Sequence, residues 1–381
     1  MKQAALITCH NIKNYGSVFQ TYATTVVFKD FGYDVTVIDY QRPGTDREGF
    51  RKRTLRESHM AKKPVIKFVF PYVLKASFYK MEEVFSDFLR KYVATTAKTY
   101  LTEEELVQNC PGADLYISGS DQIWNSDING RIERPYYLSF LPDDKKRISF
   151  ASSFGKTQLH DDEKAETCGL LSKYQWLSTR ERSGTEIIRG LGLDADTVLD
   201  PTLWLSKEQW ERLAEPVRAP KRYVLVYQLH NNKAMDQYIK QMEKTCHLPC
   251  LRVDLFYHYM VKSGRHIVCP TPGQLIALIK NAEYVISDSF HMTVFSILFN
   301  KKFISIYSEN SFNDRIASIL KLLDLEARHL ESYEDFGIWN KEIDYDKVNR
   351  CLEEQKQKMR TLLGRKLQMI EESPAGCVSV I

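Results

Sequence analysis

Asp288, Ser289 and His291 share one short stretch, Ser287-Asp288-Ser289-Phe290-His291, where an apolar strand-like run hands over to an apolar helical pattern. The first turn of a helix has unbonded N–H groups and about half a positive charge, so it suits an anion. A histidine beside such an anion can give or take a proton near neutral pH. The stretch is also satisfied by a histidine that only sits near a helix cap. Three further polar clusters follow strand-like runs. In "LSTRERSG" the planar fork of Arg180 matches a carboxylate or phosphate, unless a surface pair with Glu181 occupies it. In "YISGSDQIWN", Gly119, Ser120 and Asp121 stand close to Trp124. That mixture suits a sugar, with a ring face for C–H groups and a carboxylate for hydroxyls. The other reading puts Trp124 in the core and Asp121 at a helix cap. In "HNIKNYGSVFQ", Asn14 and Gly16 make a tight turn before Ser17, a capping residue. No G-x-G-x-x-G is present there, so a dinucleotide fingerprint is absent. Cys246, His247 and Cys250 in "CHLPC" have no second Cys/His pair at ligand spacing, so no metal is expected.

These clusters need a scaffold that brings strand ends together. The chain has 381 residues, too many for one core. Strand-like and helical patterns alternate from the start, with "AALIT", "SVFQTYATTVVFKDFG" and "DVTVIDY" forming a βαβ opening closed by Gly32. "ADLYIS", "KRISFAS", "WLSTR" and "ADTVLDP" continue the first half, and "RYVLVYQL", "LRVDL", "YVISD" and "FISIY" build a second. The pattern predicts an α/β fold of two Rossmann-like domains, residues 1–205 and 206–345, facing across a cleft. A long charged helix and a loose tail, 346–381, follow. Ligands in such sheets bind beyond the carboxyl ends of strands, where all four clusters lie.

Composition is ordinary for a globular protein, 43% hydrophobic and 27% charged, with a net charge of +4. The charge is concentrated. Residues 47–80 carry ten Lys/Arg against Glu48 and Glu57, so the rest of the chain is net negative. The aromatic stretch "PVIKFVFPYVLKASFY" in this segment is too short to span a bilayer and is interrupted by Pro71. Contact with an anionic membrane surface is one expectation for it, a solvated basic loop the other. Nothing resembles a nucleic-acid recognition motif. Eight scattered cysteines without a framework, and no signal sequence, fit the cytoplasm.

Six segments in order, "NYGSVFQTYA", "GSDQIWN", "ISFASSFG", "STRERSG", "VLDPTLWL" and "NAEYVISDSFHMTVFSILFNKKFISI", resemble the polysaccharide pyruvyl transferase family over about residues 3–325. The resemblance implies a GT-B-like fold and transfer of pyruvate from phosphoenolpyruvate to sugar hydroxyls, giving a ketal on a capsular or exopolysaccharide unit. It implies His291 as catalytic proton carrier, with Asp121 on the acceptor side. It places Arg180, Asp288 and Ser289 at the donor, and Asn14, Gly16, Gly119, Ser120 and Trp124 around the acceptor or cleft. No cofactor or metal is needed. Many relatives read Asp-Arg-Leu-His-Gly where this chain has Asp288-Ser289-Phe290-His291-Met292, so an arginine is missing; Arg315 and Lys301 are the candidate replacements. The acceptor would be lipid-linked or nucleotide-linked, met in the cytoplasm or at the inner face of its membrane. The rival readings are a nucleotide-sugar glycosyltransferase of the same fold and a non-catalytic glycan-binding protein.

Overall fold

A computed structural model describes residues 1–44, 47–58, 66–308 and 313–372. The tail after residue 372 and the lysines at 62 and 63 lie outside the described residues.

The first sheet holds β1 (Lys2–Ile7), β2 (Tyr33–Val37), β3 (Leu115–Ser118) and β4 (Arg147–Ser149) in the order β2-β1-β3-β4. Every pairing is parallel. The short pair β5 (Ser178–Thr179) and β6 (Asp196–Thr197) continues it through bridges Ile148–Trp176 and Ser152–Thr179. The second sheet holds β7 (Val224–Tyr227), β8 (Cys250–Asp254), β9 (Arg265–Val268), β10 (Tyr284–Ser287) and β11 (Lys302–Ser305). Its order is β11-β10-β7-β8-β9, again all parallel. Central strands read as unbroken apolar runs because helices cover both faces. β9 escapes the sequence pattern, since a four-residue edge strand containing Arg265 and His266 is only half buried.

Helix α1 (Tyr15–Asp30) is capped by Asn14, whose side chain accepts from the Ser17 amide, and Gly32 turns the chain out with φ +86°. The basic segment forms α2 (Arg47–Glu57) and the start of α3 (Ile66–Tyr92). Pro71 does not interrupt α3. It stands near the helix start, where its missing N–H removes one backbone bond to the preceding turn. Phe70, Leu74, Phe78, Met81 and Phe85 bury one face of α3. Between the halves, the rings of Phe19, Phe295 and Trp210 meet at centroid distances of 4.8–5.4 Å. The last helix, Tyr345–Glu372, begins against the second sheet and ends on the first. Near its start Lys347 pairs with Asp324; near its end Tyr33 donates to Glu371 at 2.6 Å and Arg360 pairs with Asp30.

Candidate functional site

In each sheet the strand order reverses once, between β1 and β3 and between β7 and β10. A crevice forms where neighbouring connections leave in opposite directions. Here the two crevices face one another. The loops after β1, β3, β7 and β10 line one cavity of about 310 Å³, with Arg315 at the start of the helix Asp314–Leu322 closing a side. Larger hollows lie against Tyr72, Lys75 and Tyr79 of α3 (about 620 Å³), around His10 and Lys13 (about 570 Å³), and against Arg180 and Asp200 (about 500 Å³). Neither of the first two has strand-end loops from both sheets converging on it; the third adjoins the cavity through the shared Phe290 and Arg315.

His291 is in the first turn of the Phe290–Leu298 helix and is almost fully buried. Its ring lies against Gly16 so closely that a Cβ at that glycine would come within 2.3 Å of Nδ1. Nε2 is buried with no hydrogen-bond partner among the described residues, and the nearest described carboxylate, Asp200, is 4.0 Å away. Burial drives the imidazole pKa down; Asp200 and Asp121 pull it up, Arg180 and Arg315 oppose them, and it settles at about 4. His291 is therefore neutral at pH 7. Gly16→Ala should displace the ring and cut turnover roughly 10²-fold, the scale of an ångström's misplacement, with an unchanged circular dichroism spectrum. A normal rate would mean that the imidazole has room to shift.

Arg180 is buried, with its side chain only 1% exposed. It donates to Asp200 at 3.0 Å and to Asp121 at 3.1 Å, and Glu181 lies 3.6 Å away. Thr202 also donates to Asp200, at 2.6 Å, and Ser17 donates to Asp121 at 3.3 Å. Burial alone would raise the Asp121 carboxyl, but Arg180, His291 and Arg315 outweigh it and hold it at about 2. Asp200 is likewise held below the usual range against its burial, by His291 and Arg180. Asp121, at φ +78°, is thus a permanently ionised wall group with little basicity.

Arg315 is different. It makes no hydrogen bond or ion pair with any described residue; its Nε is buried and unpartnered, as Arg180 Nε also is, and the guanidinium lies 5.6 Å from the Phe290 ring centroid, as Arg180 does at 5.4 Å. Burial and the neighbouring Arg180 lower its pKa to about 10, so it remains cationic at pH 7. Among the described residues, one cation without a hydrogen bond or ion pair, one unpartnered imidazole nitrogen and a helix N-terminus meet in a single cavity. Such an arrangement can hold an anion and exchange a proton with it.

The family model for polysaccharide pyruvyl transferases matches residues 14–310. The chain belongs to this family. Solved structures of similar fold agree on architecture at very low identity. The UDP-N-acetylglucosamine 2-epimerase solved from Listeria monocytogenes and described as putative is 8% identical, covers 98% of each chain and has a TM-score of 0.54. The Methanocaldococcus jannaschii UDP-GlcNAc 2-epimerase is 10% identical, covering 98% of this chain and 100% of its own, at 0.52. The glycosyltransferase AviGT4 of avilamycin A biosynthesis is 10% identical, covering 98% and 99%, at 0.50. These likenesses carry the GT-B fold alone. No curated protein matches the sequence.

Within this polysaccharide pyruvyl transferase family member the sequence-predicted residues separate into two groups. Asn14, Gly16, Asp121, Asp288, Ser289, His291 and Arg315 line the cavity. Arg180 does not line it, and its fork is taken up by internal carboxylates. Gly119 and Ser120 are behind the wall: a Cβ at Gly119 would meet Leu6, and Ser120 donates to Asp200 at 3.3 Å. Trp124 is core rather than a sugar platform, because its ring stacks on Tyr137 at 5.2 Å and Nε1 donates to the Tyr136 carbonyl. Lys301 cannot replace the missing arginine. It precedes β11, at the opposite sheet edge, and donates to the Ala282 carbonyl at 3.0 Å. Asp288 accepts from the Leu229 and His230 amides at 2.7 and 2.8 Å and from His230 Nδ1 at 3.0 Å, which ties the β7 loop to the β10 loop. A carboxylate so placed shapes the site and would repel an anionic donor. The Ser289 side chain caps nothing and is left to the cavity.

Sequence reasoning missed Asp200 and His230; it named Glu181 only as a surface partner for Arg180, and Glu181 is buried. Asp200 and His230 each follow a strand, and His230 stands after β7 at the switch point, which was the available signal. The thiol of Cys246 donates to Met242 O and that of Cys250, on β8, to Ile239 O, both toward the helix Lys233–Cys246. Among the described residues, Asp127, His160 and Glu163 form a group at ligand spacing. Lys156 already occupies it, its Nζ 3.4 Å from Asp127 and 3.2 Å from Glu163.

Proposed function

We propose that the chain transfers pyruvate from phosphoenolpyruvate to a pair of sugar hydroxyls of a cell-surface glycan precursor, in the His291 cavity. The observation that carries this reading is the meeting of two buried, unpartnered nitrogens, His291 Nε2 and Arg315 Nε, at a helix N-terminus in a chain of this family. About 310 Å³ is at the small end for ligand pockets, which run to about 1,000 Å³, and favours a compact acid over a whole nucleotide sugar. In this scheme residues 206–345 hold the donor and residues 1–205 present the acceptor. No cofactor is invoked. Peripheral contact with the inner membrane face, through residues 47–80, would bring a lipid-linked acceptor to the cleft.

The donor's negative charge raises the His291 pKa, so the imidazole takes up a proton as the donor binds. That proton goes to the methylene carbon, leaving an oxocarbenium-like centre at C2. A sugar hydroxyl adds to C2 and returns its proton to His291. The C2–O bond to phosphate then breaks, a second hydroxyl closes the ketal, and its proton leaves with inorganic phosphate. The proton His291 regains from the first hydroxyl is released as the products leave, so the net reaction moves one hydrogen to the new methyl group and one to phosphate in place of the two lost by the hydroxyls. Arg315 and the helix N-terminus hold the charge that migrates to the leaving group.

Phosphate release from phosphoenolpyruvate in the presence of lipid-linked sugars tests the reaction, and its absence with stabilisation by a nucleotide sugar in a thermal-shift panel would overturn it. Arg315→Ala should weaken phosphoenolpyruvate affinity at least tenfold, with Arg315→Lys between it and the parent, because lysine keeps the charge and loses the fork. Unchanged affinity in Arg315→Ala would move the donor away from this helix.

A further inference from the structure

Helix α3 buries one face and leaves aromatic residues on the other. Phe68 and Tyr72 are 69% and 75% exposed, and with Lys75 and Tyr79 they fall at four- and three-residue spacings along a single stripe. Solvent-facing helix surfaces are ordinarily polar, so a rim of large apolar groups marks a surface that meets something. The second half of the molecule adds to it. The turn Tyr257–Val261, after β8, packs on α3: the Tyr257 amide donates to Ser77 Oγ at 3.0 Å and the rings of Phe70 and His258 are 5.2 Å apart. From that turn Tyr257, Met260 and Val261 stand out, Val261 with 83% exposure.

Cations surround these groups. Lys67 and Lys75 are exposed, Lys52 is exposed on α2, and the Arg47 guanidinium lies 3.8 Å from the Tyr79 ring centroid. The acids nearby are answered, Glu48 by Arg51 at 2.8 Å and Glu83 by Lys80 at 3.7 Å. α3 belongs to the connection leaving the carboxyl edge of β2, and the turn leaves the carboxyl edge of β8. Both are on the rim that carries the cavity.

We infer that α3 and the Tyr257–Val261 turn together form a docking surface for an anionic phospholipid bilayer, built jointly from both halves of the molecule. Aromatic and aliphatic tips enter the headgroup boundary while the lysines meet acidic headgroups. The cleft mouth then faces the membrane. The inference rests on the proposed function only for what the membrane would carry, a lipid-linked sugar. Binding to bare vesicles needs neither sugar nor phosphoenolpyruvate, so pyruvyl transfer and membrane docking fail separately.

Co-sedimentation of the full chain with phosphatidylcholine vesicles, and with equimolar phosphatidylcholine–phosphatidylglycerol vesicles, tests it. At low salt, partitioning into the acidic vesicles should be at least tenfold the stronger, and it should collapse near 1 M salt, where screening shortens to about 3 Å. The pair Phe68→Ser/Tyr72→Ser and the pair Met260→Ser/Val261→Ser should each reduce binding about tenfold without lowering the melting temperature. Equal binding to both vesicle types, or binding to neither, overturns the proposal. If Met260→Ser/Val261→Ser binds normally, the surface is not shared by both halves and the inference as stated is wrong. Concentration-dependent dimerisation abolished by the same pairs, with no vesicle binding, would replace the bilayer by a second copy of the chain.

Discussion

Arg180→Ala should destabilise the protein by about 3–5 kcal/mol, the usual cost of removing one partner from a buried ion pair. The cause is the set of charges left behind. Asp200 is fully enclosed and Asp121 mostly so, and the guanidinium is one of the groups that keep both ionised against their burial. The melting midpoint should fall by roughly 10 °C on the scaling for large domains. Asp200→Asn in the Arg180→Ala background should recover part of the loss, since one stranded charge is gone. A variant that melts like the parent and binds phosphoenolpyruvate more weakly would make Arg180 a direct donor contact and overturn this account.

His291→Ala should lower turnover by about 10²-fold or more while the melting midpoint stays within a few degrees. The imidazole makes no hydrogen bond through Nε2, so its loss removes little native-state bonding. Its titration separates a proton carrier from a bystander. The value of about 4 is below the usual 6.5, so the unfolded chain binds more protons between those limits. Native stability should therefore fall as pH drops from 6.5 toward 4, and His291→Gln should flatten that part of the curve. Phosphoenolpyruvate should reverse the shift. Calorimetry at pH 7 in buffers of differing ionisation enthalpy should show proton uptake on donor binding by the parent and none by His291→Gln. Equal uptake by both would place the proton on another group.

The strand–helix alternation was legible because parallel strands buried on both faces must be apolar throughout, as Ala4 to Ile7 and Val224 to Tyr227 are. β9 was not, for an edge strand obeys a looser rule. His291 was legible from its place after β10, a local property. The fate of Arg180 was hidden. Its partners are 59 and 20 residues away, and only the closing of the first sheet brings Asp121 and Asp200 to one guanidinium. Trp124 misled for a related reason. A tryptophan in a polar loop looks available to a ligand, and nothing local announces that Tyr137 will cover its face.

The return of the last helix onto the first sheet bears on how the cleft can move. The chain crosses between the halves once after β6 and again along Tyr345–Glu372, whose end is fastened by Lys2, Tyr33 and Lys146 to Glu371. A body joined to another at one point can swing and twist in any direction. Joined at two, it turns like a door, about the line through both attachments. Any opening of this cleft would thereby be confined to one axis, and closing would bring the Gly16 backbone back to the same face of His291.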